Sequence, residues 1–134
     1  MRGRLPRGLR NNNHGNIRSN SDLFQGEVKS ADPEFKQFRT MAYGYRAVFK
    51  ILRNYDKKYF LHTIHDIITR WAPSSENNTV AYVKSVSTYS GIGADESIDT
   101  DNREIMIRIV AGMSRVENGR EADMTEIIDG WNML

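Results

Sequence analysis

Apolar residues recur at helical spacing along most of this chain, from about residue 40 onward. Intervals of three and four residues place such side chains on one face of a helix, with charged residues on the other faces. The chain is therefore expected to be mainly α-helical. The pattern predicts five helices, whose apolar stripes fall within residues 41–52, 61–71, 82–89, 105–116 and 127–131.

Residues that start and stop helices lie between these stripes. Pro73 is expected to end the second helix, because proline disfavours helical backbone at the residue before it. Gly119 suits the left-handed position just after the fourth helix. Ser, Asn and Asp side chains accept hydrogen bonds from the free N–H groups of a first helical turn. The predicted caps of the three later helices are residues 74–78 (SSENN), the pair Asp101 and Glu104, and the pair Asp123 and Glu126.

The first third of the chain lacks this periodicity. Residues 11–33 are rich in Asn, Ser, Gly and Asp, with only short apolar pieces, which predicts a packed loop region or a small hairpin. Residues 1–10 are expected to form a flexible basic arm. The predicted organisation is thus an arm at residues 1–10 and a single domain at residues 11–134, long enough to bury one hydrophobic core.

The composition excludes several kinds of site. The chain has no cysteine, which removes disulfides, thiolate nucleophiles and cysteine-ligated zinc. The sequence contains no Walker loop, dinucleotide-binding fingerprint or nucleophile elbow. His62 and His65 have the i, i+3 spacing of metal ligands, but no third ligand lies at a recognisable spacing. Neither a metal nor a cofactor is therefore expected.

The net charge of +2 is unevenly distributed. Residues 1–20 hold five arginines and no acidic residue, so the remainder of the chain carries a net charge of −3. Such a segment is typical of arms that contact phosphates, in nucleic acid or in anionic wall polymers, and equally of a solvated terminus. Nucleic-acid binding is the least favoured of the candidate functions. The five arginines are Arg2, Arg4, Arg7, Arg10 and Arg18.

Two glutamates are candidates for acid–base chemistry. Glu117 follows an apolar stripe in the last turn of its helix, where the helix dipole and apolar neighbours both disfavour a charged carboxylate. Those conditions keep a general acid protonated near neutral pH. The alternative is an exposed glutamate that pairs with Arg108, Arg115 or Arg120. Glu76 lies just before a helix, where capping is the alternative to a catalytic role.

Amide and aromatic side chains are candidates for binding a sugar. The asparagines at residues 11–16 suit sugar hydroxyl and N-acetyl groups, and they also suit tight turns, because their amides imitate the backbone. Tyrosine and tryptophan rings combine an apolar face with a polar edge, which fits either a sugar-binding groove or a core. The aromatic candidates are Tyr43, Tyr45, Trp71 and Tyr82.

Several motifs in a fixed order resemble a family of small phage-associated proteins. The motifs are RGLRNNNHGNIR, FQGE, FKQFRTMAYGYRAVFKIL, TIHDIITRWAPSSENNTVAYVKSV and VENG, and together they span residues 7–119. Members of that family are often described as virion structural proteins or lysozyme-like peptidoglycan hydrolases, and they also occur in prophages of Bacteroides-type bacteria. His14 stands where the family usually has proline. The resemblance implies a phage or prophage protein with a lysozyme-like helical domain.

A second resemblance, to bacterial cell-wall N-acetylglucosaminidases of the lysozyme superfamily, concerns mechanism. Residues 12–17 resemble the Asn-Asn-x-x-Gly-Ile loop of those enzymes, residues 35–45 their Phe-Arg-x-Tyr segment and residues 71–82 their Tyr-Ala-x-Asp-x-x-Tyr segment. Their glutamate-bearing helix precedes the loop, whereas in this chain it follows at the other end as MIRIVAGMSRVENG. This order implies a circularly rearranged domain in which Glu117 lies beside the asparagine-rich loop.

Together the resemblances imply cleavage of β-1,4 glycosidic bonds in peptidoglycan, by a glycoside hydrolase or a lytic transglycosylase. Glu117 is the expected general acid and Glu76 the expected second carboxylate. The alternative is a non-catalytic phage virion or secreted module that binds wall glycan on the same scaffold. The expected substrate-binding residues are Asn12, His14, Asn16, Arg18, Gln25, Tyr43, Trp71 and Tyr82.

The expected partners are peptidoglycan glycan strands, with virion or secretion-apparatus proteins as further partners. No apolar run approaches the length of a membrane span or a signal-peptide core. The chain is therefore expected to be made in the cytoplasm, and to act in a virion or after delivery to the periplasm or cell wall without a cleaved signal. Arg18 is expected to pair with a carboxylate, either on the protein or on a peptide stem of the wall.

Overall fold

Helices dominate the computed structural model, which describes residues 5–134, as the apolar pattern predicts. All five predicted helices are present, and one short helix precedes them. Within the described residues, no helix combines the length and apolar character needed to cross a membrane. The helices are α1 (Arg7–Arg10), α2 (Met41–Tyr59), α3 (Ile64–Trp71), α4 (Thr79–Ser90), α5 (Arg103–Asn118) and α6 (Met124–Asn132).

Side chains cap the later helices, with one difference from the sequence prediction. Asn78, one of the candidates in SSENN, accepts a hydrogen bond from the first turn of α4. Helix α5 is capped by Asn102, so the prediction of Asp101 is wrong. Asp101 instead forms ion pairs, with its carboxylate 3.1 Å from Nζ of Lys57 and 3.4 Å from Nε of Arg53.

Gly119 and Asp123 have the roles that the sequence predicts. Gly119 ends α5 with a φ of 68°, a left-handed conformation that glycine adopts without steric penalty. The Asp123 carboxylate accepts hydrogen bonds from the backbone N–H groups of Thr125 and Glu126 at the start of α6. The chain therefore reverses immediately after Glu117 and returns to the core as α6.

Helix α2 lies at the centre of the core. It packs most extensively against α6, while α5 packs against α4 and also contacts α1 and α2. Burying one large apolar side chain stabilises a fold by about 1.5–3 kcal/mol, so this shared core fixes the relative positions of the helices. Fully buried apolar side chains include Val48, Phe49, Leu52, Ile64, Ile68, Met106, Ile109, Met113 and Ile127.

A small antiparallel hairpin lies in the N-terminal region, as predicted. Strand β1 (Glu27–Val28) pairs with β2 (Gln37–Phe38), and Arg18 forms an isolated antiparallel bridge with Phe35. Two-residue strands supply few backbone hydrogen bonds, so side chains hold much of this region.

Asparagines of the N-terminal loop act as turn formers. Asn13 is fully buried, and its amide donates to the carbonyls of Ile17 and Lys36 at 2.9 and 3.0 Å. Its oxygen accepts from the N–H of Ile17 at 2.9 Å. Asn12 and Asn16 both have a φ of 51°, a left-handed conformation that asparagine tolerates better than most residues. These contacts give the loop a defined shape.

Residues 7–10 form a packed helix, in contrast to the flexible arm predicted for residues 1–10. Arg7 donates two hydrogen bonds to Asp32, one of them 2.9 Å long from Nη2 to Oδ1, and Asn11 adds a third at 3.1 Å. The Arg7 bond above all holds the pKa of Asp32 below its usual range. Residues 1–4, including Arg2 and Arg4 of the predicted arm, lie outside the described residues.

Candidate active site around Glu117

Glu117 lies in the last turn of α5, where its half-buried carboxylate accepts three hydrogen bonds. The donors are the amide of Asn16 at 3.3 Å, the indole N–H of Trp71 at 3.1 Å and the hydroxyl of Tyr82 at 2.7 Å. They belong to the N-terminal loop, the end of α3 and the first turn of α4, which are 101, 46 and 35 residues away along the chain. The structure thus places Glu117 beside the asparagine-rich loop, as the motif order implies.

A buried network fixes this loop against the end of α5. The amide of Asn118 donates to the carbonyl of His14 at 3.0 Å and to that of Ser114 at 3.1 Å. The Ser114 hydroxyl in turn shares a 3.0 Å hydrogen bond with the hydroxyl of Tyr45. Leaving one such buried group without its partner costs about 1–3 kcal/mol. The loop that contacts Glu117 is therefore anchored by the next residue of the same helix.

Two glycines allow the N-terminal segments to approach α3 and α5 closely. A Cβ atom on Gly15 would lie 2.7 Å from Cζ2 of Trp71, and one on Gly8 would lie 2.5 Å from Oδ1 of Asn118. Both distances are shorter than carbon atoms tolerate, so a larger residue would displace its neighbour. Gly15 in particular sets the position of the indole that binds Glu117.

The hydrogen-bond partners of Glu117 are neutral groups. Arg115 pairs instead with Glu121, with 3.2 Å between Nε and Oε1, and Arg108 donates to the carbonyl of Ser90 at 3.1 Å. Among residues 5–134, no basic side chain forms a salt bridge with Glu117. The alternative of a helix-end ion pair is therefore wrong.

Tyr82 keeps its proton beside this carboxylate. Burial, together with the negative charge of Glu117, raises the pKa of Tyr82 well above its usual value. The hydroxyl therefore keeps the proton that it donates to the Glu117 carboxylate at 2.7 Å. A hydroxyl oxygen also accepts hydrogen bonds, so Tyr82 can both donate and accept one at this site.

Glu117 lines an open cavity with a volume of about 720 Å³. It also lines a second cavity of about 300 Å³, together with Tyr82, and Asn77 is likewise common to both cavities. The carboxylate is therefore accessible from two adjoining depressions of the surface. Four other predicted site residues line the larger cavity: Asn16, Arg18, Glu76 and Trp71.

Glu76 is an exposed residue of the larger cavity. Its backbone N–H donates to the carbonyl of Pro73 at 3.0 Å, within the turn that follows α3. The capping role that the sequence offered as an alternative belongs to Asn78 instead. A catalytic role for Glu76 stays a prediction, supported by the cavity that it shares with Glu117.

Besides His14, three predicted binding residues line neither cavity of Glu117. The amide of Asn12 donates to the carbonyl of Phe38 at 3.0 Å and so holds the loop to the hairpin. The half-buried ring of Tyr43 packs directly against Gly26. Gln25 is exposed but lies outside the residues that form the cavity. The geometry gives these three residues no place beside the carboxylate.

His14 is fully buried, with its ring stacked on Tyr45 at a centroid distance of 3.9 Å. Burial lowers the pKa of His14 to about 3, so the imidazole is neutral. Neither ring nitrogen has a hydrogen-bond partner within residues 5–134. A ring enclosed in this way cannot contact a sugar in the cavity. The expectation of His14 as a substrate-binding residue is therefore corrected to a core residue.

The larger cavity also contains residues that the sequence patterns did not indicate. Asp22 contributes a further carboxylate, and Arg70 lies next to Trp71 at the end of α3. The Arg70 guanidinium lies 3.9 Å from the ring centroid of Tyr59 and 5.2 Å from that of Tyr55. The one sequence signal for Arg70 was its position inside the motif TIHDIITRWAPSSENNTVAYVKSV, next to Trp71. Asp22 lies in an irregular loop that offers no pattern.

The two histidines with metal-ligand spacing lie elsewhere. Nδ1 of His65 is 3.1 Å from Oδ1 of Asp95, and Nδ1 of His62 is 3.7 Å from Oδ1 of Asp56. In the part of the chain that the structure describes, no three His, Asp or Glu side chains are arranged to hold a metal ion.

Comparison with known proteins identifies a relative in a phage. No model of a known protein family matches the chain. The chain is 41% identical over 117 residues to a protein named Protein P5 from Pseudoalteromonas phage PM2, and the matched region covers 84% of this chain and 71% of that protein. The finding agrees with the phage origin that the sequence motifs imply. The chain therefore belongs to the family of Protein P5 of Pseudoalteromonas phage PM2.

Proposed function

We propose that this member of a phage protein family cleaves the β-1,4 glycosidic bonds of peptidoglycan, with Glu117 as the general acid. The proposal rests on one observation: the Glu117 carboxylate lines an open cavity of about 720 Å³ while three neutral donors hold it in place. A carboxyl group fixed at a ligand-sized cavity is oriented for proton transfer to a bound molecule. A purely structural acceptor does not need access to such a cavity.

The two oxygens of Glu117 have different surroundings, which suits proton transfer. Oε2 accepts from both Trp71 and Tyr82, whereas Oε1 accepts only the longer bond from Asn16. Oε1 is thus the oxygen better placed to protonate the glycosidic oxygen of a bound strand. The two donors on Oε2 then stabilise the negative charge that remains after the transfer. General acid catalysis of this kind contributes roughly 10²- to 10⁴-fold to the rate.

A polymeric sugar is the ligand that the surrounding surface fits best. The indole of Trp71 offers an apolar face to a sugar ring, and the amides of Asn20 and Asn77 offer donors and acceptors to its hydroxyl groups. Glu117 belongs to both cavities, so a strand that fills the two depressions presents an internal bond to the acid. A glycan chain satisfies that geometry.

The second chemical group is proposed to be Glu76, and Asp22 is a further carboxylate in the same cavity. A carboxylate that activates water, or that attacks the sugar itself, gives hydrolysis. If the substrate's own C6 hydroxyl attacks C1, the leaving oxygen takes the Glu117 proton, the Glu117 carboxylate then takes the proton of the C6 hydroxyl, and the product ends in a 1,6-anhydro ring. Analysis of the product ends in Glu76→Gln and Asp22→Asn variants distinguishes these routes.

Membership in a phage protein family supports a role in the virion. We place the enzyme in the virus particle, where it acts on the cell wall of the host. Its partners are then glycan strands and the neighbouring virion proteins.

The decisive experiment uses the purified chain and insoluble peptidoglycan. Release of soluble fragments is measured for the wild type, for Glu117→Gln and for the matched control Glu104→Gln. Glu104 is an exposed residue in the first turn of α5, about 20 Å from Glu117 at 1.5 Å per residue. Glu117→Gln is expected to lower the rate by about 10²- to 10⁴-fold, and the control is expected to retain activity. Thermal unfolding midpoints show that both variants fold.

Cleavage by Glu117→Gln at the wild-type rate would show that the acid is wrongly assigned. A second candidate function is binding of wall glycan without cleavage. It is favoured by the three hydrogen bonds that the Glu117 carboxylate already accepts within the protein, because a purely structural acceptor needs no further partner. That function predicts intact peptidoglycan after long incubation, with the protein sedimenting alongside it.

A further inference from the structure

We infer that Arg18 and Arg70 recognise carboxylates of the peptide stems attached to the glycan, so that peptide-bearing strands are preferred over bare glycan. The inference rests on the proposed function of the Glu117 cavity. Both arginines line that cavity, although one belongs to the N-terminal loop and the other to α3. A strand bound at Glu117 therefore meets two guanidinium groups from separate segments.

Arg70 presents a guanidinium group without an acidic partner in the described structure. It lies on the ring of Tyr59, at 3.9 Å from the centroid, and close to the ring of Tyr55. No carboxylate among residues 5–134 lies within 4.0 Å of its nitrogens. A guanidinium carries five N–H donors, and a carboxylate can accept two parallel hydrogen bonds from it.

Arg18 offers similar chemistry from the loop. Its side chain is 62% exposed, with the guanidinium 5.2 Å from the ring centroid of Phe35. Its ion-pair partner among the described residues, Glu34, is itself exposed and lies 4.0 Å away, too far for a hydrogen bond, so the N–H groups of Arg18 stay available to a ligand. By contrast Arg7, the other arginine of the cavity, already has its donors on Asp32. Arg18 and Arg70 are therefore the arginines suited to a bound acidic group.

The charges that line the cavity favour a ligand with isolated carboxylates over a nucleic acid. Asp22, Glu76 and Glu117 line the same cavity as the arginines. Nucleic acid carries closely spaced charges, about one per 1.7 Å of duplex DNA, and these would face the three acids at close range. A peptide stem carries few, well separated carboxylates, which the arginines can bind while the acids face the uncharged sugar rings.

The test compares intact peptidoglycan strands with strands whose stems have been removed by an amidase. The variants are Arg70→Gln, Arg18→Gln and the control Arg39→Gln. Arg39 also lies over an aromatic ring, that of Tyr43 at 4.9 Å, but it does not line the cavity. The ratio of kcat/KM for peptide-bearing to bare strands is expected to fall about tenfold in the first two variants, mainly through KM, because each loses a charge-assisted hydrogen bond. The control is expected to keep the wild-type ratio.

An unchanged ratio in both cavity variants, with cleavage that depends on Glu117, overturns the inference and leaves the proposed function intact. Absence of Glu117-dependent cleavage on both substrates overturns the proposed function instead. A binding measurement then tests the inference separately. Soluble peptide-bearing strands and soluble bare strands are each added to the Glu117→Gln protein and to the Glu117→Gln, Arg70→Gln double variant, and binding is followed by tryptophan fluorescence. Equal affinity for the two strands, or tighter binding to a single-stranded oligonucleotide, overturns the recognition of stems.

Discussion

Acidification is expected to destabilise this protein through His14. The ring is fully buried, and burial lowers its pKa from 6.5 to about 3. Below pH 6.5 the unfolded chain binds a proton that the folded chain does not accept until about pH 3. The stability contributed by the neutral ring is therefore complete above pH 6.5 and is lost as the pH falls toward 3. At about 1.4 kcal/mol per pH unit, the loss between pH 6.5 and pH 4 is about 3 kcal/mol.

Urea unfolding followed by circular dichroism at pH 7.5 and pH 4.0 measures this loss. His14→Leu is the matched control, because leucine fills an apolar site without titrating, and the ring nitrogens of His14 have no hydrogen-bond partners within residues 5–134. The other titrating groups are common to both proteins and cancel in the comparison. The wild type is expected to lose about 3 kcal/mol more than the variant over this interval, a large part of the 5–15 kcal/mol typical of a domain.

Equal losses in the two proteins would refute the reasoning. A second observation would do the same: an imidazole NMR signal of the folded wild type that titrates near pH 6.5 and disappears in His14→Leu. That signal would place the ring in water and remove the basis for the shift.

Three other substitutions have defined outcomes. Tyr82→Phe removes the hydroxyl that donates to Glu117 at 2.7 Å. The kcat on peptidoglycan is expected to fall about 10- to 100-fold with little change in the thermal unfolding midpoint, and an unchanged kcat would show that the hydroxyl has no catalytic role. Gly15→Ala places a Cβ 2.7 Å from Trp71, and urea unfolding is expected to show a loss of about 1–3 kcal/mol, whereas wild-type stability would contradict the close approach. In Gly119→Ala the added Cβ has no atom within 4 Å, but the backbone φ at this position is 68°. Backbone strain alone is therefore expected to lower the free energy of unfolding by about 1 kcal/mol, and an unchanged free energy would contradict that strain.

The helical architecture could be predicted because apolar residues at intervals of three and four mark the buried face of each helix. The helix starts were less certain where two capping residues are adjacent. Asp101 and Asn102 both suit an N-cap; Asn102 takes that role, while Asp101 pairs with Lys57, which is 44 residues away in the sequence and 3.1 Å away in space. Local pattern does not contain that information.

The candidate site was predictable only where a motif carried it. The motif order implied the approach of the N-terminal loop to Glu117, and the structure adds the Asn16–Glu117 hydrogen bond. His14 lies in the same motif but is buried, because the depth of a loop residue depends on what packs over it, in this case Tyr45. Arg70 and Asp22 escaped notice for a related reason: a single charged residue has no periodicity, and its place in the cavity arises from the packing of distant segments.

The 101-residue separation between Asn16 and Glu117 has a consequence for biosynthesis. A ribosome that adds about 5–20 residues per second produces the loop roughly 5–20 s before the turn of α5 that bears the acid. Within that interval the ribosome adds the indole of Trp71 and then the phenol of Tyr82, so all three donors are made before the carboxylate that they bind. Translation products that stop before residue 117 therefore lack the site altogether, and it forms only in chains whose synthesis has passed that point.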